Sequence, residues 1–437
     1  MIVWTADVQR PWWERYQVVS YKLVSRSGTE GDFRRMAWTC HRHGLRIYPN
    51  VQLKFMAMAA SKGVGTGGTR FNADWNTPFP GVPYSNDDFM RMSEAYCDAP
   101  WGTNATQMRN CGGRMNLNQS RPDVQDKLAG FLNHLVDLGA DGFRVDSASG
   151  QWPLLLKAIL DKVKDITSGG RPFVILEVPN TIQHAVKPSE YFMIGHVTEF
   201  EFAERLGEAI MGDFRTLGSV VNLSLPMVPS DHALIFVDNH DIQRGRQRKG
   251  ATILTHRDPH TYKLGQAFTL AYNYGMPRVM SSYYFSDNEE GPPHHPYYGI
   301  LDVIRDVDGH CSNGWVCEHR WPAISAMVRF RNHVCTSEVK NWQVTEDTVA
   351  FSRGDRGFLA MGRHKFSRVF QTGLPAGVYC DIISDCKVNV TVNAQGLASV
   401  TPYARTVGEG QQDNIVAILN EKLPAWSDFF LHRLFSI

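Results

Sequence analysis

No stretch of 18 apolar residues occurs anywhere in the chain, which excludes a membrane-spanning helix of ordinary length. Net charge is nearly absent: 45 Lys and Arg face 44 Asp and Glu, leaving no field to draw in nucleic acid or an acidic membrane surface. No C-x-x-C occurs among the eight cysteines, so zinc ribbons and thioredoxin-type redox motifs are excluded. Met1 to Gln9 has neither the basic start nor the apolar run of a secretory leader.

What is present describes a large folded protein. At about 150 residues per domain, 437 residues suffice for two or three domains, and 43% hydrophobic residues allow a sizeable core. Eleven Trp and fifteen Tyr are compatible with stacking on neutral sugars, although such aromatics most often simply fill cores. Close spacings pair Cys97 with Cys111, Cys311 with Cys317 and Cys380 with Cys386, and short disulfide loops fit an oxidising compartment. Asn104, Asn118, Asn222 and Asn389 each open a glycosylation sequon. For an oxidised, soluble protein the lack of a leader is a contradiction, so the expectation is that the true N-terminus lies upstream of residue 1.

Short apolar runs alternate with helical patterns. The runs are Leu45–Leu53, Gly142–Asp146, Pro172–Val178, His196–Phe202, Ala233–Asn239 and Arg278–Tyr283. The helical patterns are Val124–Leu138, Pro153–Ile166, Ala203–Met211, Tyr262–Tyr274 and Trp321–Val334. Strands buried on both faces and followed by amphipathic helices read as βα units, hence a barrel or a doubly wound sheet. The Gly/Asn/Pro-rich stretch Ala59 to Ser120 is too long for a plain loop and reads as a small inserted domain. After Val334 short alternating strands such as Thr348–Ser352, Phe358–Gly362, Val388–Val392 and Ile415–Leu419 predict an antiparallel β-sandwich. Trp426, Phe429, Phe430, Leu434 and Ile437 in the tail share one helical face, with no role assigned.

Three runs end in acids. Gly142-Phe143-Arg144-Val145-Asp146 alternates so that Arg144 and Asp146 share a face. Pro172-Phe173-Val174-Ile175-Leu176-Glu177 and Ile235-Phe236-Val237-Asp238-Asn239-His240-Asp241 likewise run from apolar residues into carboxylates. A charge directly after a buried strand is costly unless it has a partner or a task, and in a βα barrel such ends converge on one face. Carboxylates gathered there, with no Cys/His cluster, nucleotide loop or Ser/His pair at comparable positions, suggest glycoside hydrolysis. A retaining mechanism needs a nucleophile and an acid/base about 5–5.5 Å apart. Arg144 is expected to lower the pKa of Asp146 and keep it an ionised nucleophile. Glu177, preceded by apolar residues, is expected to hold its proton longer and serve as acid and then base.

Six segments carry a family resemblance: Pro11–Gln17 (Pro-Trp-Trp-Glu-Arg-Tyr-Gln), Gly142–Asp146, Phe236–Asp241, Arg278–Tyr283, Gly314–Trp321 and Gln371–Asp381. They closely resemble the animal-type, chloride-dependent α-amylases of the α-amylase glycosidase family, and the resemblance runs from about Arg10 to Leu419. It implies an α/β fold: a (β/α)8 TIM barrel lacking its first strands (1–53 and 120–336), an inserted domain B (54–119), a C-terminal antiparallel β-sandwich (337–422) and a tail (423–437). It implies a secreted, monomeric endo-hydrolase of α-1,4-glucosidic bonds in starch, glycogen or maltooligosaccharides, with a weakened or inactive glucan-binding relative as the alternative. Asp146 becomes the nucleophile, Glu177 the acid/base and Asp241 the third carboxylate. His240 matches the transition-state stabiliser, while Trp12, Trp13, Tyr16 and Gln17 match the sugar-binding wall. Arg144, Asn239 and Arg278 match a chloride site. Two guanidiniums aimed into one barrel interior would repel without an anion between them.

The pattern breaks at calcium. Where the family has Asp, Asn and His, this chain has Asn50, Lys54 and Phe55, and the missing Asn is a calcium ligand. Asn116 stands for a calcium-binding Asp, Ser149 and Gly150 stand for a Lys-His pair, and Arg109 remains as a carbonyl ligand. A hard dication wants six to eight oxygens, so an ammonium at position 54 predicts weak calcium binding or none. Either Lys54 substitutes for the ion or the site has decayed. A family disulfide matches Val24 and Ala57, so both halves are lost together, and Cys40 would pair upstream of residue 1.

Overall fold

The computed structural model describes residues 2–3, 10–58, 61–82, 84–90, 104–110, 114–180, 185–222, 225, 227–295, 299–307, 310–404 and 413–421. The expected Cys97–Cys111 bridge and the tail 423–437 lie outside the described residues. The chain divides into two compact units, one holding the described residues of 1–198 and 283–303, the other those of 199–282 and 304–421.

The first unit is built on parallel strands Asn50–Val51 (β1), Gly142–Val145 (β2), Phe173–Leu176 (β3) and His196–Glu199 (β4), of which the last residue falls in the second unit. Asn50 pairs with Arg144, Gly142 with Phe173 and Ile175 with His196. The ladder runs past the strand ends: Asp146 N donates to Val51 O at 2.9 Å and Glu177 N to Val145 O at 3.1 Å. Both acids therefore leave neighbouring strands in step. The expected run Leu45–Leu53 narrows to two strand residues, partly because Pro49 has no amide to donate.

Helices Glu30–Arg42 (α1), Pro122–Asp137 (α2) and Pro153–Asp161 (α3) accompany these strands. Thr29 and Asp32 form a capping box on α1, and α2 starts on Pro122 and buries Val124, Leu128, Leu132, Leu135 and Val136. The spacing 124, 128, 132, 135 is the 3.6-residue period that the sequence showed. The stretch expected to be an insertion pairs Phe55–Met58 with Arg114–Asn116 and Lys62–Gly65 with Arg70–Asn72, both antiparallel. Its short helix Ala105–Asn110 buries Gln107, Met108 and Arg109.

Gly142 shows how closely β2 and β3 approach. A Cβ there would lie 2.1 Å from the Phe173 carbonyl oxygen, a backbone atom that cannot rotate away. Gly142→Ala is expected to cost about 3 kcal/mol through forced backbone shifts, read as a lower midpoint in thermal or urea unfolding. An unchanged midpoint would remove the argument.

In the second unit Ala233–Phe236 (β5) pairs in parallel with Met276–Arg278 (β6). Helices Phe200–Met211 (α4), Pro259–Ala271 (α5) and Pro322–Val334 (α6) belong here. The strand expected to reach Phe202 stops at Glu199, because the Glu199 side chain accepts from Phe202 N at 3.2 Å and caps α4. The C-terminal part places Val339–Val344, Thr348–Arg353, Gly357–Gly362 and Ile415–Leu419 in one antiparallel sheet. Two further strand pairs, Arg368–Gln371 with Leu397–Val400 and Gly377–Cys380 with Asn389–Val392, pack against it. Phe358, Ala360 and Ile418 of the sheet share one core with Phe370, Val390 and Val400 of the pairs, which is the sandwich layout. Cys311–Cys317 and Cys380–Cys386 are bonded, and Cys40 and Cys335 are free thiols. Among the described residues no helix is long and apolar enough to cross a membrane.

Candidate active site

Arg144 organises the first unit's acids. Its Nη1 donates to Asp146 Oδ1 at 2.6 Å and to Asn50 Oδ1 at 2.8 Å, while its Nη2 lies 2.8 Å from Glu177 Oε1. One guanidinium thus holds both carboxylates. Asp146 is buried, Glu177 nearly so, and the main chain contributes Ser147 N, which donates to Glu177 Oε2 at 2.8 Å. Ser147 adopts φ +47°, in the left-handed region that side chains rarely occupy. That conformation lets the amide following one acid serve the other.

Asp146 departs from expectation. Burial, and then the charge of Glu177, push its carboxyl up to about 7 against the pull of Arg144. The expected lowering is overturned because one cation is shared between two acids in a site that water hardly reaches. The two carboxyls titrate as a pair.

Gln52 was not among the sequence candidates, yet its Nε2 donates to Asp146 Oδ2 at 2.7 Å and its Oε1 accepts from Lys54 N at 3.0 Å. Asn50 also donates to the Tyr16 hydroxyl at 3.3 Å, tying the aromatic segment to Arg144. The signal that could have found both is alternation, since positions 50, 52 and 54 follow a strand with a period of two. Trp12, Trp13 and Tyr16 lie in the 3-10 turn Trp12–Tyr16. Trp12 is buried with its ring edge-on to Tyr16, Trp13 Nε1 donates to Glu289 Oε2 at 2.7 Å, and Gln17 is fully buried. A cleft of about 540 Å³, lined mostly by the segment 15–33, reaches Tyr16, Gln17, Asn50 and Gln52, but its lining includes neither Asp146 nor Glu177.

The second unit presents Asn239, His240 and Asp241 directly after β5. Asn239 Oδ1 accepts from Asp241 N and Ile242 N, both at 2.9 Å, which fixes the turn and leaves its amide nitrogen as donor. His240 Nε2 lies 3.4 Å from Asp241 Oδ2, and both side chains are one-quarter exposed. Asp238 turns the other way into the core: Tyr262 donates to it at 2.9 Å, and burial holds its carboxyl well above the ordinary range. The Arg278 guanidinium lies 4.7 Å from the Phe236 ring centre.

Comparison with known proteins places the chain. It is 42% identical over 410 residues to α-amylase 1A of Homo sapiens, covering 87% of this chain and 79% of the human protein. Pancreatic α-amylase 2a5 of Mus musculus is 40% identical over 443 residues, covering 94% of this chain and 85% of the mouse protein. The chain belongs to the animal α-amylase family. Among solved structures, α-amylase I of Eisenia fetida superposes with a TM-score of 0.83 at 34% identity, covering 94% of this α-amylase and 88% of that chain. The α-amylase of Malbranchea cinnamomea, at 16% identity and TM-score 0.61, shares the fold. No family model matches the chain. The fold class is accordingly the α-amylase (β/α)8 barrel with a C-terminal antiparallel β-domain.

The family's calcium does not fit the residues of this α-amylase. Lys54 is 5% exposed, and its Nζ donates to Met108 O at 2.8 Å, which puts a buried ammonium at the position where the family resemblance calls for an asparagine ligand. Asn116 turns its amide nitrogen to Asn110 O at 3.2 Å, and its Oδ1 has no partner among the described residues. The Arg109 side chain is engaged with Glu190 at 2.7 Å and lies over the Trp152 ring. Among the described residues no three His, Cys, Asp or Glu side chains are grouped as a metal site.

Proposed function

We propose that this α-amylase hydrolyses internal α-1,4-glucosidic bonds of starch, glycogen or maltooligosaccharides with retention of anomeric configuration. The observation that carries the reading is the clamp of Arg144 on Asp146 and Glu177. Ionised Asp146 attacks the anomeric carbon while Glu177 gives its proton to the departing glycosidic oxygen, forming a glycosyl-enzyme ester. Glu177 then takes a proton from water as that water displaces Asp146, which leaves the sugar with its original configuration. Asp241 and His240 grip sugar hydroxyls, and Trp12, Trp13, Tyr16 and Gln17 form the sugar-binding wall. The division into a barrel (1–53 and 120–336), an inserted domain (54–119) and a sandwich (337–422) belongs to the same reading, as does a secreted, monomeric protein.

Chloride would be held by Arg144, Asn239 and Arg278. Arg144 Nε is buried without an acceptor among the described residues, which favours an anion there. Bound chloride supplies negative charge that keeps the acid/base protonated to higher pH. Glucan digestion tests the reading. Soluble starch is expected to release reducing ends whose fresh anomer is α by NMR, several-fold faster with chloride than in nitrate-free, chloride-free buffer. Release of the β anomer would overturn the retaining mechanism, and equal rates in both buffers would remove the chloride site.

A further inference from the structure

Lys54 stands where three segments of the first unit meet. Its own backbone joins the strand leading into the inserted region, since Leu117 N donates to Lys54 O at 2.8 Å. Its ammonium reaches Met108 O, in the last turn of helix Ala105–Asn110. Carbonyls at a helix C-terminus lack intrahelical donors and carry partial negative charge, so they attract a cation. The third segment is the turn Ala148–Gly150 that follows Asp146.

Gly150 and Lys54 fit each other. A Cβ at position 150 would come within 2.4 Å of Lys54 Nζ and 3.0 Å of its Cδ and Cε. The lysine side chain therefore fills the space that any other residue at 150 would claim. The neighbours are braced independently: Trp152 Nε1 donates to Asn110 Oδ1 at 3.1 Å, and the Tyr191 hydroxyl to Gln151 O at 2.7 Å. A lysine that merely replaced a discarded ligand would have no need of a glycine opposite its head, nor of burial to 5% exposure.

We propose that the Lys54 ammonium is a built-in cation that replaces calcium, joining the inserted region to the barrel turn, and that Gly150 is the change that makes room for it. A metal ligated by oxygens and an ammonium donating to oxygens exclude each other at one point, so this α-amylase holds its inserted region without calcium. The inference rests on family membership and not on the catalytic roles. Its readout is stability, which keeps its failure distinct from a failure of the proposed function.

Thermal unfolding of the whole protein decides it. The melting temperature is expected to be the same within about 1 °C in 1 mM calcium and in 1 mM EDTA, set against the roughly 2–4 °C that 1 kcal/mol would move it. A calcium-dependent rise of several degrees, reversed by EDTA, would overturn the proposal. Lys54→Met keeps the stem and removes the charge, and is expected to melt several degrees lower in both buffers; an unchanged melting temperature would count against the bridge. Should that variant not fold, Gly150→Ala in the wild-type background provides a second measurement. It is expected to lower the melting temperature, and to lower it less when Lys54 is also alanine. Equal effects in the two backgrounds would show that the glycine and the lysine are unrelated.

Discussion

Asp146→Asn is expected to reduce starch hydrolysis on the order of 10⁴-fold while leaving the far-ultraviolet dichroism unchanged. The amide is nearly isosteric and can still face Arg144 Nη1 through its oxygen, so the site keeps its shape. On the proposed mechanism, what disappears is the charge that attacks carbon. The acidity of the pair adds a pH signature. Burial and Glu177 push Asp146 up to about 7, so the two acids together retain one proton until about neutrality. In the proposed mechanism the productive form carries that one proton on Glu177 and the negative charge on Asp146. Wild-type kcat/KM is therefore expected to fall as pH rises past about 7, when the last proton leaves. It is also expected to fall in acid, when both carboxyls are neutral. Residual activity within tenfold of wild type in Asp146→Asn would exclude this residue as the nucleophile.

Arg144→Ala is expected to have the second largest effect, and on stability as well as rate. The guanidinium is buried and engages Asn50, Asp146 and Glu177 at once. Without it the two carboxyls lose the cation they share, a loss that costs about 3–5 kcal/mol. The sign with pH follows from the direction of the shift. Asp146, already raised, would be raised further above its unfolded value once the pull of Arg144 is gone, so the folded state would bind its proton more tightly than the unfolded chain. The loss is then greatest at alkaline pH and shrinks as pH falls through the raised values. Urea unfolding at pH 5 and pH 8.5 checks this. A variant less damaged at pH 8.5 than at pH 5 would contradict the clamp. The alkaline limb of any remaining activity is expected to move upward for the same reason.

The parts legible from sequence were those where polarity changes abruptly. A buried apolar run that ends in a charge is conspicuous, and Gly142–Asp146 and Pro172–Glu177 were readable for that reason. So was the sandwich, because a period of two survives in short strands such as Thr348–Arg353. Gln52 escaped because an amide after a strand is unremarkable until its partner is known, and that partner is 94 residues away. A pairwise reading of the sequence weighs Arg144 alone and so sets the acidity of Asp146 too strong. Burial and the second acid are properties of the assembled pocket. Helix α4 began earlier than its apolar pattern, since a buried Glu199 acts as its cap. The resemblance singles out Lys54, but that its head occupies the space beside Gly150 is a property of the folded chain.

The left-handed Ser147 makes one peptide plane a lever on both acids. Its nitrogen faces Glu177 and its own preceding residue is Asp146, so a rotation of a few degrees would alter the relative height of the two carboxyls without changing either side chain. Glycine at this position would ease that rotation and a β-branched residue would oppose it. Tuning of the pair can therefore be reached by backbone choice at a residue that itself takes no part in bond making.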